Sequence, residues 1–180
     1  MKIGANGWAS GLRRLASPNH DTRPRGTAIS MLVVHNISLP PGEFGGDAIT
    51  RLFTNTLNTE AHPYYVQLKG LRVSAHFLIR RNGGIIQFVP CNKRAWHAGV
   101  SSWQGTPLCN DFSLGIELEG DDNSPFSDAQ YAALARLTRR LKRAFPVRHI
   151  VGHSDIAPGR KTDPGPYFDW PRYFASIKNG

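Results

Sequence analysis

Residues 112–119 read FSLGIELE, and their strict alternation decides the fold class. Phe112, Leu114, Ile116 and Leu118 would share one face of an extended strand. Ser113, Gly115, Glu117 and Glu119 would share the other, because successive side chains of a strand point to opposite sides. Both acids therefore lie on one side of a sheet whose other side is apolar. Outward from this stretch, residues 29–35 (ISMLVVH) form a short apolar run, the pattern of a buried central strand with His35 at its far end. Residues 73–80 (VSAHFLIR) and 85–89 (IIQFV) flank Asn82-Gly83-Gly84. Asn-Gly between two β-rich runs predicts a hairpin on a type I′ turn, which needs positive φ. Residues 149–152 (HIVG) give another strand, leading into His153.

Helices are interleaved with these strands. Residues 127–145 are the clearest: Ser127 and Gln130 make a capping box, and Tyr131, Leu134, Leu137, Leu141 and Phe145 recur at helical spacing. Arginines and Lys142 fill the other face and the last turns, and Pro146 stops the helix. Residues 47–53 (DAITRLF) predict a short helix, and a last one begins after Asp169 with Pro171 in its first turn. Residues 1–28, rich in Gly, Pro, Ser and Arg, read as an irregular lead-in. The expected fold is α/β (α+β), a mixed central sheet with helices packed on its faces, in one domain spanning residues 1–180.

Composition narrows the function. The chain has 180 residues, 40% hydrophobic and 10% aromatic, which suits a globular domain and not a disordered one. No apolar run approaches the ~18 residues of a membrane span, and the first 20 residues lack a signal-peptide core. The expectation is a cytoplasmic protein with no membrane partner and with Cys91 and Cys109 reduced. Twenty-two basic against 13 acidic residues give a net charge of +9. That permits nucleic-acid binding, but no zinc-finger or RNA-binding signature accompanies it, and none is expected.

The candidate chemistry sits at strand ends, where rigid elements place side chains and loops admit substrate. His35 and His153 each follow a strand, and Asp163 lies ten positions beyond His153 in a loop stiffened by prolines and glycines. Two histidines and one carboxylate suit zinc with a fourth position left for water. HExxH and CxxC spacings are absent, so spacing by itself leaves zinc open. The pair Glu117 and Glu119 invites a glycosidase reading, but same-face neighbours on one strand do not straddle a bond from opposite sides.

Six blocks in order carry a resemblance: VVHNISLPPGEFGG, HPYY, SAHFLIRRNGG, RAWHAGVSSWQG, CNDFSLGIELEG and GHSDIAPGRKTDPGP. Together they resemble the zinc N-acetylmuramoyl-L-alanine amidases, which are related to T7-type lysozyme and to peptidoglycan recognition proteins. The likeness is to the cytoplasmic members that act on anhydromuramyl peptides, and it runs from about residue 8 to residue 174. It implies one zinc ion held by His35, His153 and Asp163, Glu117 as general base, Lys161 stabilising the oxyanion and Tyr64 near the site. It implies Asn36, Arg72, Ala95 and His97 as substrate-binding residues. The implied substrate is a small muropeptide, cleaved between the lactyl group and L-alanine during recycling of wall fragments, by a monomer.

One departure stands out. Just before the Cys-Asn-Asp block, where relatives are expected to carry an arginine for a stem-peptide carboxylate, this chain has Gly105-Thr106-Pro107-Leu108. Stem-peptide preference is thereby open. A metal-free recognition module and a phage-type amidase acting on intact wall are the competing readings. Retention of all three implied ligands favours catalysis, and the HPYYVQLKGLRVSAH region favours the fragment-specific enzyme.

Overall fold

The computed structural model describes residues 1–178. In chain order, β1 (Arg13–Arg14) and β2 (His20–Thr22) precede β3 (Met31–Ile37) and α1 (Ala48–Phe53). Then come β4 (Phe77–Ile79), β5 (Ile85–Gln87), β6 (Lys93–Ala95), β7 (Ser102–Trp103) and β8 (Thr106–Pro107). The chain continues through β9 (Ser113–Glu119), α2 (Asp128–Ala144), β10 (His149–Gly152), α3 (His153–Ile156) and α4 (Trp170–Lys178). Six strands form the main sheet in the order β1-β5-β4-β9-β3-β10. Every neighbouring pair is parallel except β4 with β5.

The alternation of β9 divides the layers. Leu114, Ile116 and Leu118 join Leu32 and Val34 of β3 under α2 and α4, against Leu134, Leu137, Leu141 and Tyr173. On the opposite face, α1 packs Ile49, Leu52 and Phe53 over Leu78 and Ile86. Beside it, Met31 and Val33 pack with Ala98, Cys109 and Ile156. Glu117 and His35 emerge on this second face. α2 begins as its sequence predicts: Ser127 Oγ accepts from Gln130 N–H at 3.1 Å, and Ser127 N–H donates to Gln130 Oε1 at 3.0 Å. Gln130 is also buried, and its amide donates to the Glu119 carbonyl at 2.9 Å, fastening the helix start to the end of β9.

Four expectations need correction. The lead-in is not wholly irregular, because β1 extends the sheet edge beside β5 and β2 pairs with β6. Arg23 from the same segment is buried, donating to the carbonyls of Cys91, Asn110, Asp111 and Ser113. The β4–β5 hairpin is closed by Gly83 N–H to the Arg80 carbonyl, with only Gly83 left-handed (φ +79°) and Asn82 not. That is a three-residue loop with a glycine bulge and not a type I′ turn. β3 runs two residues past His35, so His35 lies within the strand. Phe112 precedes β9 at φ −120°, ψ 12° and packs on the Met31–Val33 side, away from Leu114.

Candidate metal centre and its cleft

Strand register assembles the centre. In the β3–β9 ladder His35 lies opposite Glu117, and in the β3–β10 ladder Gly152 lies opposite Val34. The next residue after β10, His153, therefore arrives level with His35, at the start of α3. The loop after α3 brings Asp163 back, with Ser154 N–H donating to the Asp163 carbonyl at 2.9 Å.

Three donor atoms converge. His35 Nδ1 is 3.0 Å from His153 Nδ1 and 2.9 Å from Asp163 Oδ2, and His153 Nδ1 is 3.1 Å from the same oxygen. Donors ~2.0–2.2 Å from a tetrahedral zinc stand about 3.3 Å apart, so the spacing is that of ligands around a cation. Both histidines are buried. Burial lowers the pKa of His35, favouring the neutral imidazole that a metal requires. Burial opposes ionisation of Asp163, but the adjacent His153 and His35 imidazoles outweigh it and hold the carboxyl below its usual range. A neutral His35 nitrogen and an ionised Asp163 oxygen fit a divalent cation. Among the described residues, this trio is the one cluster of histidine, cysteine and acidic side chains close enough to hold a metal.

The centre opens into a cleft of about 610 Å³. Glu117 lines it, 8% exposed, with Oε2 buried and without a hydrogen-bond partner. Burial, then the charge of Asp163, raises the Glu117 pKa well above the ordinary carboxylate value; Lys161 opposes this. Lys161 is exposed and Tyr64, in a 3₁₀ turn over Pro63–Leu68, is half-buried; both line the cleft. Glu119, on the same face of β9, is structural. It accepts from Gly45 N–H and Arg81 N–H, lies 3.3 Å from Arg80 Nε, and is absent from the cleft lining.

The four residues expected to bind substrate divide. Asn36 lines the cleft, but its amide is held by Asp122 Oδ1 at 2.7 Å and the Pro164 carbonyl at 3.1 Å. His97 reaches the cleft with its ring turned to His35 Nε2, 2.9 Å away. Ala95 is fully buried in β6, its side chain facing the α1 core, so that side chain does not meet the cleft. Arg72 is exposed beside Leu71 and Asn55, off the cleft lining. The family resemblance put both forward, and a resemblance does not say which way a side chain points. Sequence reasoning missed Ser113, Asn110, Asp122 and Arg160. Asn110 Oδ1 accepts from His97 N–H and Ala98 N–H, and Arg160 Nη2 donates to the Ala98 carbonyl. Asn110 and Ser113, inside the CNDFS block, and Arg160, inside GHSDIAPGRKTDPGP, left a signal; Asp122 lies outside all six blocks.

A mixed sheet with this donor trio and a buried glutamate beside it defines a class. The N-acetylmuramoyl-L-alanine amidase family model matches residues 25–166, and the chain belongs to that family. Within it, the chain is 58% identical to the 1,6-anhydro-N-acetylmuramyl-L-alanine amidase AmpD of Escherichia coli (strain K12), over 93% of this chain and 92% of that one. It superposes on the crystal structure of a selenomethionine AmpD derivative with a TM-score of 0.95 at 56% identity, covering 98% and 99% of the two chains. A more distant likeness, TM-score 0.62 at 29% identity, is to E. coli AmiD in complex with the substrate anhydro-N-acetylmuramic acid-L-Ala-D-gamma-Glu-L-Lys. That match covers 97% of this chain and 65% of the other.

Proposed function

We propose that this chain is a zinc-dependent amidase of peptidoglycan recycling in the cytoplasm. It hydrolyses the amide between the lactyl group of 1,6-anhydro-N-acetylmuramic acid and L-alanine of the stem peptide. The observation that carries the reading is the convergence of His35, His153 and Asp163 beside the unpartnered carboxylate oxygen of Glu117, at the floor of one cleft. The names of the relatives support the anhydromuramyl substrate, and the AmiD complex supports a muropeptide in this fold. Among the described residues no helix is long and apolar enough to cross a membrane. The enzyme works as a monomer on a small muropeptide, without nucleic acid.

His35, His153 and Asp163 hold one zinc ion. When bound, zinc supplies Lewis acidity, acidifying water and polarising the scissile carbonyl. Glu117 takes the proton of the attacking water and passes it to the nitrogen of the leaving L-alanine. Its Oε2, which has no hydrogen-bond partner, is free to accept that proton and to return it. Negative charge gathers on the carbonyl oxygen during attack, and the Lys161 ammonium meets it. Loss of one such stabilising group slows turnover on the order of 100- to 1000-fold.

The test is incubation with anhydromuramyl tripeptide and, separately, with intact peptidoglycan, following products by mass spectrometry. Release of free tripeptide from the fragment, with the wall left intact, is expected. Equal release from intact wall contradicts the recycling role, and binding without release contradicts the enzyme.

A further inference from the structure

The imidazole of His97 stands beneath His35 in a place that β9 clears for it. A Cβ on Gly115 would lie 2.4 Å from His97 Cγ, so the ring occupies the space a side chain would take between Ser113 and Glu117. From this position His97 touches two groups. Its Nδ1 lies 2.9 Å from His35 Nε2, and its Nε2 lies 3.1 Å from Ser113 Oγ. Ser113 Oγ in turn lies 2.6 Å from the Cys109 carbonyl oxygen. All three side chains are buried.

The far end of this chain has only one possible direction. A carbonyl oxygen cannot donate, so the Ser113 hydroxyl donates to it. Ser113 Oγ is then the acceptor for His97 Nε2–H, which leaves His97 Nδ1 bare in the neutral ring. Bare Nδ1 accepts from His35 Nε2–H, and His35 Nδ1 is left with a lone pair facing His153 and Asp163. The second ligand is oriented more directly: His153 Nε2 lies 3.0 Å from the Ala98 carbonyl, so Nε2 carries the proton and Nδ1 is free. Asn110 Oδ1 anchors the backbone of both supporting residues, at 3.2 Å from His97 N and 2.9 Å from Ala98 N.

We propose that the His97–Ala98 segment is the orienting support of the metal centre: it sets the tautomers of both histidine ligands, through the relay Cys109 carbonyl–Ser113–His97 for His35 and through its own carbonyl for His153. His97, which also lines the cleft, is a positioning residue for the hydrolysis. The inference rests on the zinc reading above and deepens it. Groups that orient a metal-bound histidine typically change metal affinity 10- to 100-fold when removed.

The test uses full-length protein labelled with ¹⁵N-histidine and loaded with one equivalent of zinc. Long-range ¹⁵N–¹H spectra report which ring nitrogen carries each proton. His97 is expected as Nε2–H with bare Nδ1, and His35 as Nε2–H. Competition against a chromophoric chelator then gives zinc affinity for Ser113→Ala, His97→Phe and His97→Asn. Ser113→Ala and His97→Phe are expected to bind zinc about 10- to 100-fold more weakly. His97→Asn, whose Oδ1 can still accept from His35, should recover part of the loss. Zinc-loaded wild type with His97 protonated on Nδ1 overturns the relay alone. So do variants that melt earlier yet bind zinc like wild type, since that is a packing role only. Wild type that takes up no zinc overturns the parent reading and the relay with it.

Discussion

At the scale of single residues, Glu117 is the group whose environment and chemistry are most tightly bound together. Its carboxylate is buried next to Asp163 with one oxygen unpartnered, so its pKa is raised by burial first and by that charge second. A group whose folded pKa exceeds its unfolded value contributes its full stability below the unfolded pKa and loses it as pH rises toward the folded one. Metal-free Glu117→Gln should therefore be more stable than metal-free wild type at neutral pH. The advantage should vanish below about pH 4, where Glu117 is protonated in both states. The same variant should keep zinc and lose turnover. Thermal melts across pH, with metal content and rate measured in parallel, check this; a near-normal rate removes Glu117 from the proton transfer. Two free thiols, Cys91 and Cys109, stay outside the chemistry: both are buried, and burial pushes the Cys91 thiol up to about 12.

At the scale of elements, α2 and α4 hold the face of the sheet that lies opposite the cleft. Tyr173 of α4 and Thr138 of α2 are fully buried, and their hydroxyls lie 2.6 Å apart. Tyr173→Phe strands the Thr138 hydroxyl without that partner and should cost about 1–3 kcal/mol, read from denaturant melts, with the rate per folded molecule unchanged. A loss of rate at full zinc occupancy would show that this helix pair reaches the centre. Elements with a strong period were legible in the sequence. SLGIELE yields β9, its faces and the shared side of the two acids by its side-chain period of two, whereas Phe112, placed on the Leu114 face by the same alternation, ends the preceding turn and packs on the other side. Ser127 and Gln130 mark the start of α2 because the capping box is a local geometry. The hairpin turn and the lead-in were not legible. Whether Asn-Gly bends as type I′ or as a bulged loop depends on the strand pairing around it, and β1 and β2 are extended only because β5 and β6 lie beside them. Arg23 looks like any charged loop residue until the carbonyls of residues 110–113 surround it.

At the scale of the whole molecule, the centre comes from topology. His35 and His153 are 118 residues apart in sequence and meet with their Nδ1 atoms 3.0 Å apart because β3 lies between β9 and β10 in parallel register. No spacing rule contains that meeting, which is why strand-end position put the trio forward but left zinc open until the resemblance implied it. His97 shows the converse: its block marked it, yet its partner lies 62 positions away, so its role as support for His35 needed the fold. Net charge also resolves only at this scale. The cleft lining holds Glu117, Asp121, Asp122 and Asp163 against Arg160 and Lys161, whereas Arg136, Arg140, Lys142 and Arg143 are exposed on α2. The excess of +9 is thus not concentrated where substrate binds.

The most direct single measurement is hydrolysis of anhydromuramyl tripeptide by protein stripped of metal and then titrated with zinc, metal content being assayed in the same samples. Activity should be absent from the stripped protein and rise linearly to a plateau at one zinc per chain. Full activity in protein shown to be free of metal would contradict the zinc centre of His35, His153 and Asp163, and with it the mechanism built on it.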